Sequence, residues 1–188
     1  MTYFNVFVPI WILFSGLAIK PDVHQHHIIE VPDKEVPASS GNKAPLLSCD
    51  CTITQSGQSL AISALQGTQT AVTFFSPGGG NPNTGLEIQE SVILFLYENI
   101  NTGIISLFII ADIANDGTGG SLMADFTCLP STAFVAVSDE PWELSGAPPV
   151  ISGDWIWGPC CTDGGVIEGI SCNNTYINLD LLEATGID

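Results

Sequence analysis

The sequence predicts an all-β protein: a two-sheet β-sandwich, jelly-roll or immunoglobulin-like, with about ten strands. Three observations lead there. From Cys49 onward, short apolar or alternating runs are separated by clusters of Gly, Pro, Asn and Asp. No long apolar pattern at i, i+3, i+4 appears, and 19 Gly with 12 Pro among 188 residues would interrupt one. Six cysteines, an even number, read as a disulfide framework. A hydrophobic content of 45% is enough to bury a core.

The elements follow in order. The candidate strands are Cys51–Gln55, Leu60–Leu65, Ala71–Phe75, Val92–Tyr97, Ile104–Ala111, Leu122–Thr127, Phe134–Val137, Asp154–Trp157, Gly165–Ile170 and Tyr176–Leu181. Ser76 to Asn83, rich in Gly and Pro, is a long loop. Asn101-Thr102-Gly103 is a hairpin turn between two apolar runs, and Asn115 to Gly120 is a second turn. Ala147-Pro148-Pro149 marks a further boundary, and a short turn is allowed over Ile177 to Glu183. Val92 to Leu96 and Ile104 to Ile110 are apolar on both faces, which suits central strands covered on two sides or an interface between subunits. Trp155 and Trp157 alternate, so they share one strand face, in the core or on one sheet surface.

Before this domain, assigned to residues 49–188, lie two segments of different character. Phe4 to Ile19 is almost continuously apolar but shorter than a comfortable membrane span, which fits the apolar region of a signal peptide over residues 1–18. Gly16 and Ala18 permit cleavage after Ala18, whereas the lack of Lys or Arg ahead of the apolar run argues for a buried strand or helix instead. Residues 19–48 hold Pro21, Pro32, Pro37 and Pro45 and read as an extended arm or linker. Within it, His27-Ile28-Ile29-Glu30-Val31 could make one short strand able to add to a neighbour's sheet edge, while a mobile tail is the favoured reading of so Pro-rich a segment.

Charge excludes many functions. The formal net charge is −17, and Lys20, Lys34 and Lys43 are the only cations apart from His24, His26 and His27. From Ala44 to Asp188 there is no Lys, Arg or His. The chain therefore lacks what nucleic-acid binding, docking to anionic membranes and phosphoryl transfer require. No histidine is present in the body to serve a Ser-His-Asp or Cys-His site, and there is no P-loop.

Carboxylates without side-chain cations must face water, accept N–H bonds or bind a metal. Acidic loops at Asp112 to Gly117, Ser138 to Glu143 and Thr162 to Gly165 favour Ca²⁺, a hard cation with oxygen ligands. The expected ligands are Asp116, Asp139, Glu143 and Asp163; no EF-hand pattern is present, and solvated loops are the competing reading. Adjacent and C-x-C cysteines pair poorly with each other, so Cys49, Cys51, Cys160 and Cys161 are expected to pair with distant partners; of the 15 connectivities that six cysteines allow, one economical scheme ties Cys49 and Cys51 to Cys160 and Cys161 and leaves Cys128 with Cys172. Neither spacing matches zinc. Three close histidines offer a weaker transition-metal reading, and Asn173-Asn174-Thr175 makes Asn173 a glycosylation acceptor.

Ala136 to Leu144, with Ser138-Asp139-Glu140-Pro141-Trp142-Glu143, and Trp155 to Ile167, with Trp155-Ile156-Trp157-Gly158-Pro159-Cys160-Cys161, resemble segments of uncharacterised, exported β-rich bacterial proteins. The resemblance spans residues 92–188 and implies extracellular placement and an all-β fold, with no implied chemistry. The sequence thus reads as a secreted structural or adhesive protein rather than an enzyme. It would be a Ca²⁺-dependent filament or matrix subunit that self-associates or meets other extracellular proteins. The alternatives are a carbohydrate-binding module contacting polysaccharide through Trp142, Trp155 and Trp157, and a small glycosidase using two carboxylates among Asp139, Glu140, Glu143 and Asp163.

Overall fold

The computed structural model describes residues 63–76, 80–170 and 177–187 in full and, in addition, the backbone of strands at 10–14, 17–19, 28–30, 50–55 and 58–62. Cys49, Cys172, Asn173, the three histidines, the three lysines and the Cys51 side chain lie outside the described residues.

The architecture is all-β with two main sheets. The strands are β1 (Ile10–Phe14), β2 (Leu17–Ile19), β3 (Ile28–Glu30), β4 (Asp50–Gln55), β5 (Gln58–Ser63), β6 (Leu65–Gly67), β7 (Val92–Asn99), β8 (Ile104–Ala111), β9 (Gly120–Thr127), β10 (Phe134–Ser138), β11 (Leu144–Ala147), β12 (Val150–Trp157), β13 (Asp163–Ile170) and β14 (Asn178–Thr185). The first sheet runs β10-β13-β8-β7, and its last strand is met by β6 at Tyr97 to Asn99 and by β1 at Val92 to Leu94, both parallel. Strands β2 and β3 continue outward from β1, within the stretch expected to be leader and arm. The second sheet runs β11-β12-β9-β14, and β4-β5 form a separate hairpin.

Alternation along the strands explains how the sheets meet. Val92, Leu94 and Leu96 of β7 and Ile105 and Ile109 of β8 pack in one cluster with Leu122, Ala124 and Phe126 of β9 and Ile151, Trp155 and Trp157 of β12. Both tryptophans are therefore core residues. The other face of the first sheet holds Ile93, Phe95, Tyr97, Phe108, Ile110 and Val166. Ala71 and Phe75 cover it, with Leu65, Phe74, Leu86 and Ile88 alongside. Strands β7 and β8 are thus covered on two sides, as their unbroken apolar runs require. Phe95 and Phe108 stack at 4.8 Å, and Phe74 stacks on Tyr97 at 4.6 Å.

Two expectations need correction, and one strand goes unannounced in the sequence. Ala71–Phe75, expected as a strand, is a helix, α1. Its β-branched and aromatic residues favour a strand, but the Thr70 hydroxyl caps the turn by accepting from the Thr73 N–H at 3.2 Å. One turn then brings Ala71 and Phe75, four residues apart, onto the same apolar surface. Leu60–Leu65 divides at Ala64, because β5 pairs with β4 while β6 pairs with β7. Strand β11, Leu-Ser-Gly-Ala, has no alternating signal and forms by pairing with β12 across the Pro148-Pro149 turn.

One buried acid ties these parts together. Asp112 follows β8 in a left-handed conformation (φ 63), which Asp tolerates better than most residues. Its Oδ1 accepts from the backbone N–H of Glu90 and of Ile113, both at 2.8 Å. Its Oδ2 accepts from Trp157 Nε1 at 2.9 Å. Replacing Asp112 by Ala orphans these donors, and unfolding in denaturant should show a loss of about 3–5 kcal/mol. Asp112→Asn keeps the Oδ1 bonds and should lose less than half as much.

Candidate functional site

The loop from Ser138 to Glu143 is closed by its own hydrogen bonds. The Glu143 N–H donates to the Glu140 carbonyl at 3.2 Å, and Glu143 Oε2 accepts from the Glu140 N–H at 2.8 Å. The Ser138 hydroxyl accepts from the Leu144 N–H at 3.0 Å and donates to the Glu140 carbonyl. The Asp154 N–H donates to the Glu143 carbonyl at 2.7 Å, which fixes the loop to β12. This arrangement carries Glu143 inward, to 6% exposure.

Asp163 comes from the other sheet. It opens β13, opposite Ala111, and is 4% exposed. Its Oδ1 accepts from the Gly164 N–H at 2.7 Å. The Asp163 and Glu143 carboxyls also hydrogen-bond to each other, so one proton is shared between them. Burial, and then the Glu143 charge, push the Asp163 carboxyl up to about 7. Burial also raises Glu143, against the opposing effect of the Glu140 N–H and the hydrogen bond with Asp163. Asp139 is raised by burial and by the charge of Glu140, and its own charge acts on both members of the pair.

Of the four expected cation ligands, Glu143 before β11 and Asp163 at the start of β13 act on each other, and the charge of Asp139 acts on both. The fourth does not join them. Asp116 accepts from the Thr118 N–H at 2.8 Å and from the Thr118 hydroxyl at 2.5 Å, and these bonds hold its carboxyl below the usual range. Protein donors satisfy it without a metal. Among the described residues, no group of three acidic, His or Cys side chains is already arranged as a metal site. At Glu143 and Asp163 a shared proton does the neutralising; a divalent cation there would have to displace it.

The tryptophans divide. Trp155 and Trp157 are buried, while Trp142, between Pro141 and Glu143, is 70% exposed. Sequence reasoning missed the role of Asp112, which lies among the expected oxygen side chains but turns inward to Trp157. An acid between apolar neighbours at a strand end, as in Ile110-Ala111-Asp112-Ile113, is the signal that marks it.

The expected disulfide scheme is overturned in its described part. Cys160 bonds to Cys161, its neighbour, and Cys128 carries a free, exposed thiol. The adjacent pair lies in a tight turn, where the Cys161 N–H donates to the Gly158 carbonyl at 2.9 Å. The turn places both sulfurs on one side of the chain, so the adjacent cysteines that were expected to pair poorly are joined.

Comparison with protein-family models, curated proteins and solved structures finds no match to the chain. The functional reading therefore rests on the residues themselves.

The carboxyl pair predicts a pH dependence. An unfolded Asp titrates near about 3.9. A folded carboxyl raised to about 7 favours the folded state fully below the unfolded value, and this contribution is lost as pH rises through about 7. The melting temperature should fall between about pH 5 and about pH 8 in metal-free buffer. Asp163→Asn should remove most of that fall, as followed by circular dichroism.

Proposed function

We propose that this protein is an exported structural or adhesive subunit whose self-association depends on divalent cations, with Ca²⁺ as the preferred ion. The observation that carries the reading is the buried carboxyl pair Glu143 and Asp163, on which the charge of Asp139 acts, in a body that has no Lys, Arg or His after Lys43. Above about pH 7 the shared proton leaves, and a buried pair of like charges remains. A hard cation is the partner that oxygen ligands of this kind accept. It would also lower the repulsion between copies of a chain with net charge −17.

The apolar N-terminal segment and the arm complete this reading as a leader and a donated strand. The interleaved pairings β8·β13·β10 and β12·β9·β14 favour a jelly-roll over an immunoglobulin-like sandwich. Exposed Trp142 beside Glu140 favours polysaccharide contact as a second reading.

Calorimetry at about pH 8 should register Ca²⁺ binding, with a rise in melting temperature on the order of 5 °C at saturation. Glu143→Gln with Asp163→Asn should abolish both. Negative-stain microscopy should show filaments only with Ca²⁺. A chain that gives no heat, no thermal shift and no assembly would overturn the proposal. Retardation in a polysaccharide gel that Trp142→Ala abolishes would instead support the second reading.

A further inference from the structure

We propose that copies of this chain join covalently, head to tail, by thiol–disulfide exchange between Cys128 of one copy and the Cys160–Cys161 disulfide of the next. Two separate features carry this. Cys128 is a free and exposed thiol at the end of β9, where its sulfur accepts from Asn178 Nδ2 at 3.6 Å. Cys160, in the turn after β12, is exposed and already oxidised, so one sulfur of its disulfide is open to attack.

Their placement decides between an internal and an intermolecular reaction. Strands β9 and β12 are antiparallel neighbours, with Gly120 opposite Trp157 and Phe126 opposite Ile151. Cys128 lies just past one end of this pair. The turn holding Cys160 lies past the other, with Gly119 against Trp157, Gly158 and Pro159. Eight strand residues separate the two ends, roughly 25 Å at the rise of an antiparallel strand. A Cys128 sulfur cannot reach its own disulfide across that length. It can reach the opposite end of another copy, and because the two ends differ, the contact repeats without closing on itself.

The step is balanced without an external oxidant. The Cys128 thiolate attacks the Cys160 sulfur, the Cys128–Cys160 bond forms, the Cys160–Cys161 bond breaks, and Cys161 leaves as a thiolate that takes up the proton lost by Cys128. Each link creates one disulfide, consumes one and leaves the thiol count unchanged. Asp163 is three residues from Cys160, so the carboxylate cluster lies in sequence beside the accepting end. Negative charge there opposes an incoming thiolate, and a bound cation relieves it. This last point rests on the cation-dependent reading; the exchange itself does not.

The test uses the full chain in two complementary forms. Cys160→Ser with Cys161→Ser keeps the attacking Cys128 without the accepting disulfide, and Cys128→Ser keeps the disulfide without the thiol; Cys49, Cys51 and Cys172 are present in both, so the Cys128–Cys160 peptide is the deciding readout. Mixed at about pH 8.5, where thiolates are abundant, without added oxidant, the two should give a heterodimer on non-reducing gels. Peptide mass mapping should find Cys128 joined to Cys160, with a newly alkylatable Cys161. Unmutated protein should give a ladder of dimers, trimers and longer species that dithiothreitol collapses. Ca²⁺ should raise the initial rate several-fold. Absence of the Cys128–Cys160 peptide in the mixture, or an undiminished ladder in Cys128→Ser alone, overturns the proposal. A heterodimer that forms at equal rates with and without Ca²⁺ upholds the exchange and counts against the cation-dependent reading only.

Discussion

An acid can be buried in this chain only if something other than a side-chain cation receives its charge, because none exists between Ala44 and Asp188. The molecule answers with backbone and neutral side-chain donors. Asp112 takes two main-chain N–H groups and the Trp157 indole. Glu87 takes the N–H groups of Thr84 and Gly85 and the Thr84 hydroxyl. Glu98 accepts from the Gln66 amide at 2.9 Å. Each is a charge-assisted bond inside or beside the apolar layers, stronger than a neutral one. The Asp112 bonds also hold the second sheet to the end of the first, since Trp157 belongs to β12 and Asp112 follows β8.

Asp163 marks where this solution runs out. It has one amide donor, from Gly164, and then meets a second carboxyl instead of another N–H. Sharing a proton is the chemistry left to such a pair. Buried ionisable groups are thus treated in two ways within one fold. Asp112 is complete and acts as a structural pin; Glu143 and Asp163 are complete only while protonated. The difference separates a structural carboxylate from a pair whose charge depends on pH.

How much of this is legible in the sequence depends on the range of the interaction. Strands β7 and β8 are legible because their apolar runs are unbroken, and β12 because Trp155 and Trp157 alternate with Asp154 and Ile156. Helix α1 is not, since its residue types favour a strand and only the Thr70 cap and the surface beneath reverse that preference. The acidic loops are visible as composition. Which of them meet is a matter of topology: Glu143 and Asp163 are separated by β11, β12 and the Cys160 turn. The Cys160–Cys161 bond is hidden because adjacent cysteines ordinarily pair poorly, and the turn that joins them is not marked in the sequence.

The outward face of the second sheet shows what the excess charge does for the shape of an assembly. Asp125 stands directly opposite Asp180, and the Ser152 hydroxyl donates to Asp125 at 2.6 Å. Like charges facing each other across strands destabilise a sheet, so such a pair is retained at a cost. With Asp154 and Glu183 both opposite Met123 on this sheet, the face repels its own copy, even though Ile156 there is 74% exposed. Stacking of sheets is thereby discouraged, as inward or surface charges discourage it in other β proteins.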